Sequence, residues 1–261
     1  MSTTLRLSQI ETIDTGINSL GFIQGYTLLY SNTTSLTVNP GTCLDSTNTT
    51  ELTMGSSRLL YVNQVFGAND GLDTGSVTAD RTYYVYIISN GTTVRTLASL
   101  NSATPTLPGG YTSYRMIGCF YVTNTSVIAP FIHAGKYNRR TYYFNSANSV
   151  YNDAAYNNTT PKTISLTNKI PPIADSALLN AYGHNTSSTE AVYVVSLGFQ
   201  DTGYRIEANN NYSAPSSDGS YDISGEFPLL SGRTFQAVIT TGDPSFQDRL
   251  TINLNGYRYE V

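Results

Sequence analysis

Short runs of hydrophobic or alternating residues, separated by Gly, Asn, Asp and Pro, dominate the chain. This pattern is typical of β-strands joined by turns, and the turn signals recur about every 8–12 residues, as in sandwiches and barrels. The strongest predicted strands are Leu59–Phe66, Tyr83–Ile88, Tyr114–Val122, Val192–Leu197 and Thr234–Ile239. Gly118 interrupts the strand Tyr114–Val122. The sequence therefore predicts an all-β protein.

Two Asn-Gly pairs predict tight turns, because Asn and Gly tolerate the positive φ that such turns require. Asn90–Gly91 follows a predicted strand, and Asn255–Gly256 separates Leu250–Leu254 from Tyr257–Val261. Apolar and polar residues alternate in Leu250–Leu254, so one face of that strand should be buried and the other wet. We expect a hairpin at the carboxyl end, with Asn255–Gly256 as a type I′ turn.

The amino-terminal segment has a different pattern. Ser8 and Glu11 have capping-box spacing and isoleucines recur at helical intervals, which predicts a short helix over roughly residues 9–15. An extended arm and a first strand of the β body are the alternatives. A short segment cannot bury its apolar side chains against itself, so we expect residues 1–25 to act as an anchoring arm. The candidate anchoring residues are Leu5, Leu7, Ile10, Ile13, Ile17 and Phe22.

The segment from Tyr137 to Lys162 is polar and rich in Tyr, Asn and Ser. Long polar connections inside a domain are uncommon and often mark a boundary. We therefore expect an amino-terminal arm (1–30) and two antiparallel β-sandwich or barrel-like modules (31–137 and 138–261). Tyrosine is favoured at interfaces, so four tyrosines of this segment are candidate subunit or receptor contacts, with simple packing as the alternative. They are Tyr142, Tyr143, Tyr151 and Tyr156.

Composition narrows the classes of function. Charged residues make up 12% of the chain and the net charge is −4, so no basic surface is available for nucleic acid. No apolar run approaches the roughly 20 residues of a membrane-spanning helix, so membrane insertion is not expected. The two cysteines are too few for a disulfide scaffold, and the amino terminus lacks a signal-peptide pattern. These features predict folding in a cytoplasm.

Motifs for catalysis or metal binding are weak. His133 and His184 are the only histidines and lack nearby metal-ligand partners, so we expect no metal and no cofactor. Cys43 lacks a nearby base, and Cys119 is most simply a small core residue. Carboxylate pairs can hydrolyse glycans, but each pair here lies in a Gly- or Pro-containing turn, where Asp is common. We expect no enzyme and no catalytic residues; the pairs that form the alternative are Asp70 with Asp73, Asp218 with Asp222, and Asp243 with Asp248.

Five turn-and-strand motifs are distinctive: Val38–Gly41, Asp70–Val77, Leu107–Thr112, Ile170–Pro172 and Leu254–Arg258. Together they resemble virion appendage proteins of tailed bacteriophages, especially tail fibres. The resemblance covers about residues 30–261 and implies a β-structured virion protein, usually a homotrimer, with no catalytic residues to transfer. The shaft repeats of long tail fibres are absent, which favours a compact role.

These expectations combine into one functional hypothesis. The protein would be a non-enzymatic bacteriophage structural protein, a homotrimeric capsid decoration (cement) protein or short head fibre, assembled in the host bacterial cytoplasm and carried in the virion. Its expected partners are copies of itself and the major capsid protein or tail and portal components. A tail-fibre or receptor-binding module that recognises host surface glycan or protein is the alternative. A polysaccharide depolymerase is the second alternative.

Overall fold

All regular elements in the described part of the protein are strands, numbered β1 to β19, which confirms the all-β class. The predicted amino-terminal helix lies outside the described residues, as do Leu5, Leu7, Ile10, Ile13 and Ile17. None of the described residues forms a helix that could cross a bilayer. The structure is a computed structural model and describes residues 22–156, 162–167, 169–185, 191–199, 204–212, 219–229, 232–240 and 248–261.

The chain divides into two compact units. Unit 1 extends to Tyr142 and includes Glu260–Val261, and unit 2 is Tyr143–Tyr259. The module boundary expected near residue 138 stays a prediction. The strands of unit 1 are β1 (Ile23–Gly25), β2 (Leu28–Asn32), β3 (Ser35–Val38), β4 (Gly41–Leu44), β5 (Glu51–Met54), β6 (Arg58–Val65), β7 (Asp70–Leu72), β8 (Arg81–Ser89), β9 (Val94–Ser99), β10 (Ser113–Val122) and β11 (Phe131–Lys136).

The strands of unit 1 form a small and a large sheet. The small sheet has the order β1-β4-β5, and the large one has the order β10-β8-β9-β7-β6-β3-β2-β11. Strand β7 pairs in parallel with both β6 and β9, whereas the pairing of β2, β3 and β6 is antiparallel. The short β7 therefore lies between two strands that supply residues from distant parts of the sequence.

The sequence predicted the positions of two irregularities of this sheet, although the first is a four-residue connection in which Asn90 does not adopt the positive φ expected of an Asn-Gly turn. Asn90 and Gly91 lie in the turn between β8 and β9, where Asn90 Oδ1 accepts hydrogen bonds from the backbone N–H groups of Thr92 (3.0 Å) and Thr93 (2.7 Å). The φ of Gly91 is 86°, a value that favours glycine. The register of β10 against β8 shifts immediately before Gly118, so this glycine marks a β-bulge.

The core of unit 1 is centred on β8, whose residues from Tyr83 to Ser89 are all buried. The Tyr83 ring stacks on Phe120 of β10 with centroids 5.7 Å apart. Cys119, the residue before Phe120, is buried and forms no disulfide, as expected of a core residue. Cys43 lies in strand β4, and burial raises the pKa of its thiol to about 12. A thiol with that pKa is not a nucleophile at neutral pH.

The polar segment that suggested a connection is a long strand, β12, which begins in unit 1 and continues in unit 2. Its backbone hydrogen-bonds to neighbouring strands, so polar composition did not prevent sheet formation. Unit 2 contains a sheet with the order β12-β19-β14-β17 and a second sheet with the order β13-β18-β15-β16. The strands are β12 (Arg139–Tyr156), β13 (Lys162–Ser165), β14 (Ala174–Asn185), β15 (Ala191–Phe199), β16 (Tyr204–Tyr212), β17 (Gly219–Pro228), β18 (Thr234–Thr240) and β19 (Asp248–Glu260).

The predicted carboxyl-terminal hairpin is wrong, because β19 runs without a turn through Asn255 and Gly256. Leu178 of β14 pairs with Gly256, and the next residue, Leu179, pairs with Leu254, so Asn255 is a bulge within one strand. Gly256 is not among the residues with positive φ. Strand β14 offers backbone partners on both sides of the Asn-Gly pair, and this continuous ladder replaces the local turn. The predicted alternation of buried and wetter residues before the bulge is confirmed.

Candidate contact surface

One face of the large sheet in unit 1 carries apolar side chains that no part of the described unit covers. Ile132 of β11 pairs with Leu29 of β2, Leu29 pairs with Thr37 of β3, and Thr37 pairs with Leu59 of β6. Directly paired residues project to the same face of a sheet. These four side chains therefore form a line across four adjacent strands, which we call the apolar row.

The three large side chains of the apolar row are exposed. The exposed fraction is 61% for Ile132, 48% for Leu29 and 46% for Leu59. Thr37 is half-buried, and its Oγ1 lies 2.8 Å from Ser31 Oγ, a hydrogen bond between two neutral groups. The row therefore carries no charge. Scattered exposed apolar residues are ordinary, but these three are aligned on neighbouring strands, so the row is a candidate contact surface.

Two leucines next to the exposed residues of the row are buried on the opposite face of the sheet. They are Leu28 of β2 and Leu60 of β6, and His133 of β11 is buried on that face as well. Antiparallel sheets with one wet face usually alternate between apolar and polar residues. Consecutive apolar residues such as Leu59–Leu60 were the signal in the sequence that could have identified these exposed side chains. The sequence does not show which strands lie side by side, so it could not show that these side chains form a row.

The opposite face of β6 carries a buried charge cluster. The Asp70 side chain is only 1% exposed and lies between two arginines. Arg58 Nε donates to Asp70 Oδ2 (2.6 Å) and Arg95 Nε donates to Asp70 Oδ1 (2.5 Å). The backbone N–H (3.1 Å) and the hydroxyl (2.7 Å) of Thr96 donate hydrogen bonds to Asp70 Oδ2. Both carboxylate oxygens are therefore occupied as acceptors.

This cluster holds a loop in place. Arg95 also donates to the carbonyl oxygens of Gly67 (2.8 Å) and Ala68 (3.2 Å), and its guanidinium lies 4.2 Å from the centre of the Phe66 ring. Burial acts to raise the pKa of Asp70, but the hydrogen bonds from Arg58, Thr96 and Arg95 outweigh it and hold the pKa below its usual value. Asp70 is therefore a structural anion.

This geometry corrects the expectation that the carboxylate pair Asp70 and Asp73 lies in a turn. Asp70 does not occupy a turn; it opens β7, and its long-range ion pairs explain its presence. Asp73 follows the strand, and its Oδ2 accepts a hydrogen bond from the Thr106 backbone N–H at 3.0 Å. Of the other candidates, Asp218 and Asp243 lie outside the described residues, and Asp222 and Asp248 belong to β17 and β19.

The histidine of unit 1 is a core residue. His133 lies in β11 as expected, and its Nδ1 accepts the backbone N–H of Leu28 at 3.1 Å. Burial and the nearby positive charge of Arg140 lower the pKa of His133 to about 3, so the ring is neutral at physiological pH. His184 belongs to β14. The described residues contain no group of three His, Cys, Asp or Glu that could hold a metal ion.

The four candidate tyrosines have different environments. Tyr142 is fully buried and stacks on Phe131 with centroids 4.9 Å apart, so its ring packs in the core and is not available for a contact. Tyr143 is 38% exposed. Tyr151 is half-buried, with Lys162 Nζ 4.9 Å from the centre of its ring. Tyr156 is the last residue of β12.

Phe22 is the candidate anchoring residue that the structure describes. It is half-buried, and its carbonyl oxygen accepts the backbone N–H of Leu44 at 3.2 Å. Strand β1 begins at the next residue, Ile23, which is fully buried and pairs with Cys43. The end of the expected arm is thus part of the β body, and a truncation that tests the arm must stop before Phe22.

A family model described as the Mtd second domain matches residues 28–147, somewhat less than half of the chain. This match covers the four strands of the apolar row. Among curated proteins, none matches the chain in sequence.

Similar solved structures come from viral capsids and from a carbohydrate-binding module. The chain of the infectious bursal disease virus Gx strain is 10% identical, with a TM-score of 0.24, and the match covers 91% of this chain and 66% of that one. The chain of the T13 IBDV viral particle is 11% identical, with a TM-score of 0.25, covering 92% and 72%. The CBM22-1 xylan-binding domain of Paenibacillus barcinonensis Xyn10C is 9% identical, with a TM-score of 0.21, covering 50% and 80%. Likenesses this low say nothing about the function of this chain.

Proposed function

We propose that the protein is a non-enzymatic structural protein of a bacteriophage virion. In this proposal it acts as a homotrimer, as a capsid decoration protein or short head fibre, and its mechanism is buried contact area. The observation that carries the proposal is the apolar row, in which Leu29, Leu59 and Ile132 present an uncharged line of side chains to solvent. Burial of such side chains is the main favourable contribution to protein association.

The chemistry of the row suits contact with protein. Full burial of a large aliphatic side chain contributes roughly 1.5–3 kcal/mol, and each of the three is already about half-buried. A standard interface buries about 800 Å² on each partner, so the row would form the apolar centre of a larger interface with a polar rim. The motifs that resemble phage appendage proteins support a virion as the place of this contact.

The charge cluster supports the non-enzymatic part of the proposal. A general acid or a nucleophile needs a carboxylate that can exchange a proton or reach a substrate. Asp70 is buried, it accepts from three side chains, and its pKa is lowered, so it can do neither. Asp73, its partner in the candidate pair, cannot act alone as both the general acid and the nucleophile.

Sedimentation velocity of the full chain at micromolar concentration tests the role of the row. We expect a trimer for the unmodified protein and a shift towards monomer for the triple variant Leu29→Thr, Leu59→Thr, Ile132→Thr. Threonine is β-branched, a shape that strands favour, so the fold should be preserved. The matched control is Leu100→Ser, which replaces a residue that is 46% exposed outside the row and should leave the trimer intact. A monomeric unmodified protein, or a triple variant that remains trimeric, would contradict the proposal.

Copy number and position on the particle test the virion role. A decoration protein is present in hundreds of copies on the head, whereas a receptor-binding fibre is present in far fewer copies at the tail. Quantitative immunogold labelling of particles should place this protein on the head at high copy number. Labelling confined to the tail would favour the receptor-binding alternative, and release of reducing sugar from host envelope by the purified protein would favour the depolymerase.

A further inference from the structure

His133 joins two of the strands that carry the apolar row. The described pairing of β11 with β2 places Ile132 opposite Leu29, and both of these exposed residues belong to the row. His133 and Leu28 occupy the next position of this antiparallel ladder and are buried on the opposite face. The row and the histidine therefore lie on opposite faces of the same pair of strands.

The hydrogen bond at this position is formed between backbone and side chain. The Leu28 N–H donates to His133 Nδ1 at 3.1 Å, whereas a regular antiparallel ladder pairs such an N–H with a backbone carbonyl oxygen. A histidine nitrogen accepts a hydrogen bond only when it carries no proton, so this contact requires a neutral ring with its proton on Nε2. Protonation of Nδ1 would place two N–H groups against each other and remove the acceptor of a buried donor.

The surroundings of His133 oppose a positive charge on its ring. Its neighbours in the sheet are β2 and β12, and the charged group that acts on the ring is the guanidinium of Arg140 in β12. Strands β2 and β11 contain no Asp or Glu, and β12 contains none before Asp153. The titratable side chains of β2 and β12 on this face are Tyr30 and Tyr142, and phenols carry no charge in acid. No carboxylate of these strands therefore stabilises a protonated ring.

We infer that the apolar row is an acid-sensitive contact surface in which His133 positions β11 against β2. Protonation of the ring separates the two strands, so Ile132 leaves its place beside Leu29 and the row loses one end. The step transfers one proton from solvent to Nδ1 and breaks only hydrogen bonds, so raising the pH reverses it. This inference rests on the proposed function for the self-association of the row, whereas separation of the strands is a property of a single chain.

The pH range follows from the two states of the ring. The pKa of His133 is about 3 while the strands are paired, and that of a histidine in water is about 6.5. The form with separated strands therefore binds more protons between these values, and its equilibrium constant rises about tenfold for each unit by which the pH falls. Above pH 6.5 the neutral ring gives the paired strands their full stability.

Hydrogen–deuterium exchange read by mass spectrometry tests the separation of the strands independently of self-association. It is measured in the Leu59→Thr variant, in which self-association is weakened and both β2 and β11 are unchanged. We expect peptides of β2 and β11 to be less protected than peptides of β8, with protection factors that fall about tenfold per pH unit between pH 6.5 and 4.5. Protection equal to that of β8 would overturn the inference, because the strands would then part only when all of unit 1 unfolds.

Two variants assign the pH dependence to one histidine. His133→Asn offers an uncharged acceptor to Leu28 and should abolish the pH dependence in β2 and β11, whereas the matched change His184→Asn should retain it. A pH dependence that survives in His133→Asn, or that is lost in His184→Asn, would overturn the assignment. These are the only histidines of the chain, so retention in His184→Asn identifies His133 even if His133→Asn does not fold.

Sedimentation velocity tests the link between the strands and the contact. We expect the trimer of the unmodified protein to dissociate as the pH is lowered from about 6.5 to 3.5, with the β signal in circular dichroism retained, and the trimer of His133→Asn to persist. A trimer of the unmodified protein that persists at pH 3.5 would overturn the link. A protein that is monomeric at pH 7 would contradict the proposed function instead, and hydrogen exchange would still decide whether His133 holds the strands together.

Discussion

Arg58 and Leu59 are consecutive residues of β6, and their side chains leave the sheet on opposite faces. On one face, Arg58 joins Arg95 around the buried carboxylate of Asp70. On the other, Leu59 lies at the end of the apolar row with almost half of its side chain exposed. The usual distribution of charge and apolar surface is thus reversed at this strand.

The two faces of β6 differ in what their side chains contact. The charged side chains around Asp70 bind one another within the chain, whereas the side chains of the apolar row are available to a partner. Asp70 forms ion pairs with both arginines, and Arg95 also contacts the Phe66 ring, so the polar groups of these side chains are engaged within unit 1. The side chains of the apolar row have no comparable partner within the described unit. In a chain with 12% charged residues, function is therefore better sought on apolar surface than at charged clusters.

The largest expected effect comes from Asp70→Asn. This change leaves Arg58 and Arg95 without their carboxylate, and breaking a buried ion pair costs about 3–5 kcal/mol in the free energy of unfolding. Urea unfolding at pH 7 measures the loss. The control Asp73→Asn removes a charge three residues away that accepts one backbone hydrogen bond, and it should cost no more than about 1 kcal/mol. Equal losses of stability in the two variants would show that the ion pairs of Asp70 do not stabilise the fold more than the single hydrogen bond of Asp73 does.

The next effect concerns acid stability and His133. Its pKa is about 3 in the folded chain and about 6.5 when unfolded, so the unfolded chain binds more protons between these values. Its contribution to stability is therefore complete above pH 6.5 and is lost as the pH falls, by about 1.4 kcal/mol per pH unit. His133→Asn keeps an acceptor for Leu28 and should remove this slope between pH 6.5 and 4.5, measured by urea unfolding. His184→Asn should retain it.

A smaller effect separates the two neighbours on β6. Arg58→Met keeps the length of the side chain but removes two hydrogen bonds to Asp70, and we expect a loss of about 1–2 kcal/mol because Arg58 is partly exposed to solvent screening. Leu59→Thr should change the free energy of unfolding by less than about 0.5 kcal/mol. In sedimentation velocity the order should be reversed, with Leu59→Thr weakening self-association and Arg58→Met leaving it unchanged.

The smallest expected effect is the response of self-association to salt. Contact through an uncharged row should vary little between about 0.05 and 0.5 M sodium chloride, because no ion pair is screened. Ammonium sulfate should strengthen it, since this salt favours apolar burial. Sedimentation equilibrium measures both. A steep loss of association with sodium chloride would indicate that charged groups, not the apolar row, carry the contact.

The sequence predicted features that depend on neighbours along the chain. Alternation predicted the strands, Asn90–Gly91 predicted a turn, and Gly118 marked a bulge. It failed where a distant strand decides the outcome. Asn255 lies within a continuous strand because β14 pairs on both sides of it, and Asp70 is buried because Arg95, far along the chain, reaches it. The apolar row was missed for the same reason, since Ile132 meets Leu29 only through strand pairing.

The last two residues of the chain belong to unit 1, although the whole of Tyr143–Tyr259 separates them from the rest of it. The Val261 N–H donates to the carbonyl oxygen of Asn138 at 2.9 Å, and Arg115 Nη2 donates to the Val261 carbonyl oxygen at 3.3 Å. The chain therefore leaves and re-enters unit 1 at one place, and unit 2 is an insertion. The entropy cost of closing a flexible loop rises by only about 0.6 kcal/mol for each doubling of its length. A longer connection between two strands of unit 2 should therefore cost little and leave the hydrogen bonds of Val261 within unit 1 intact.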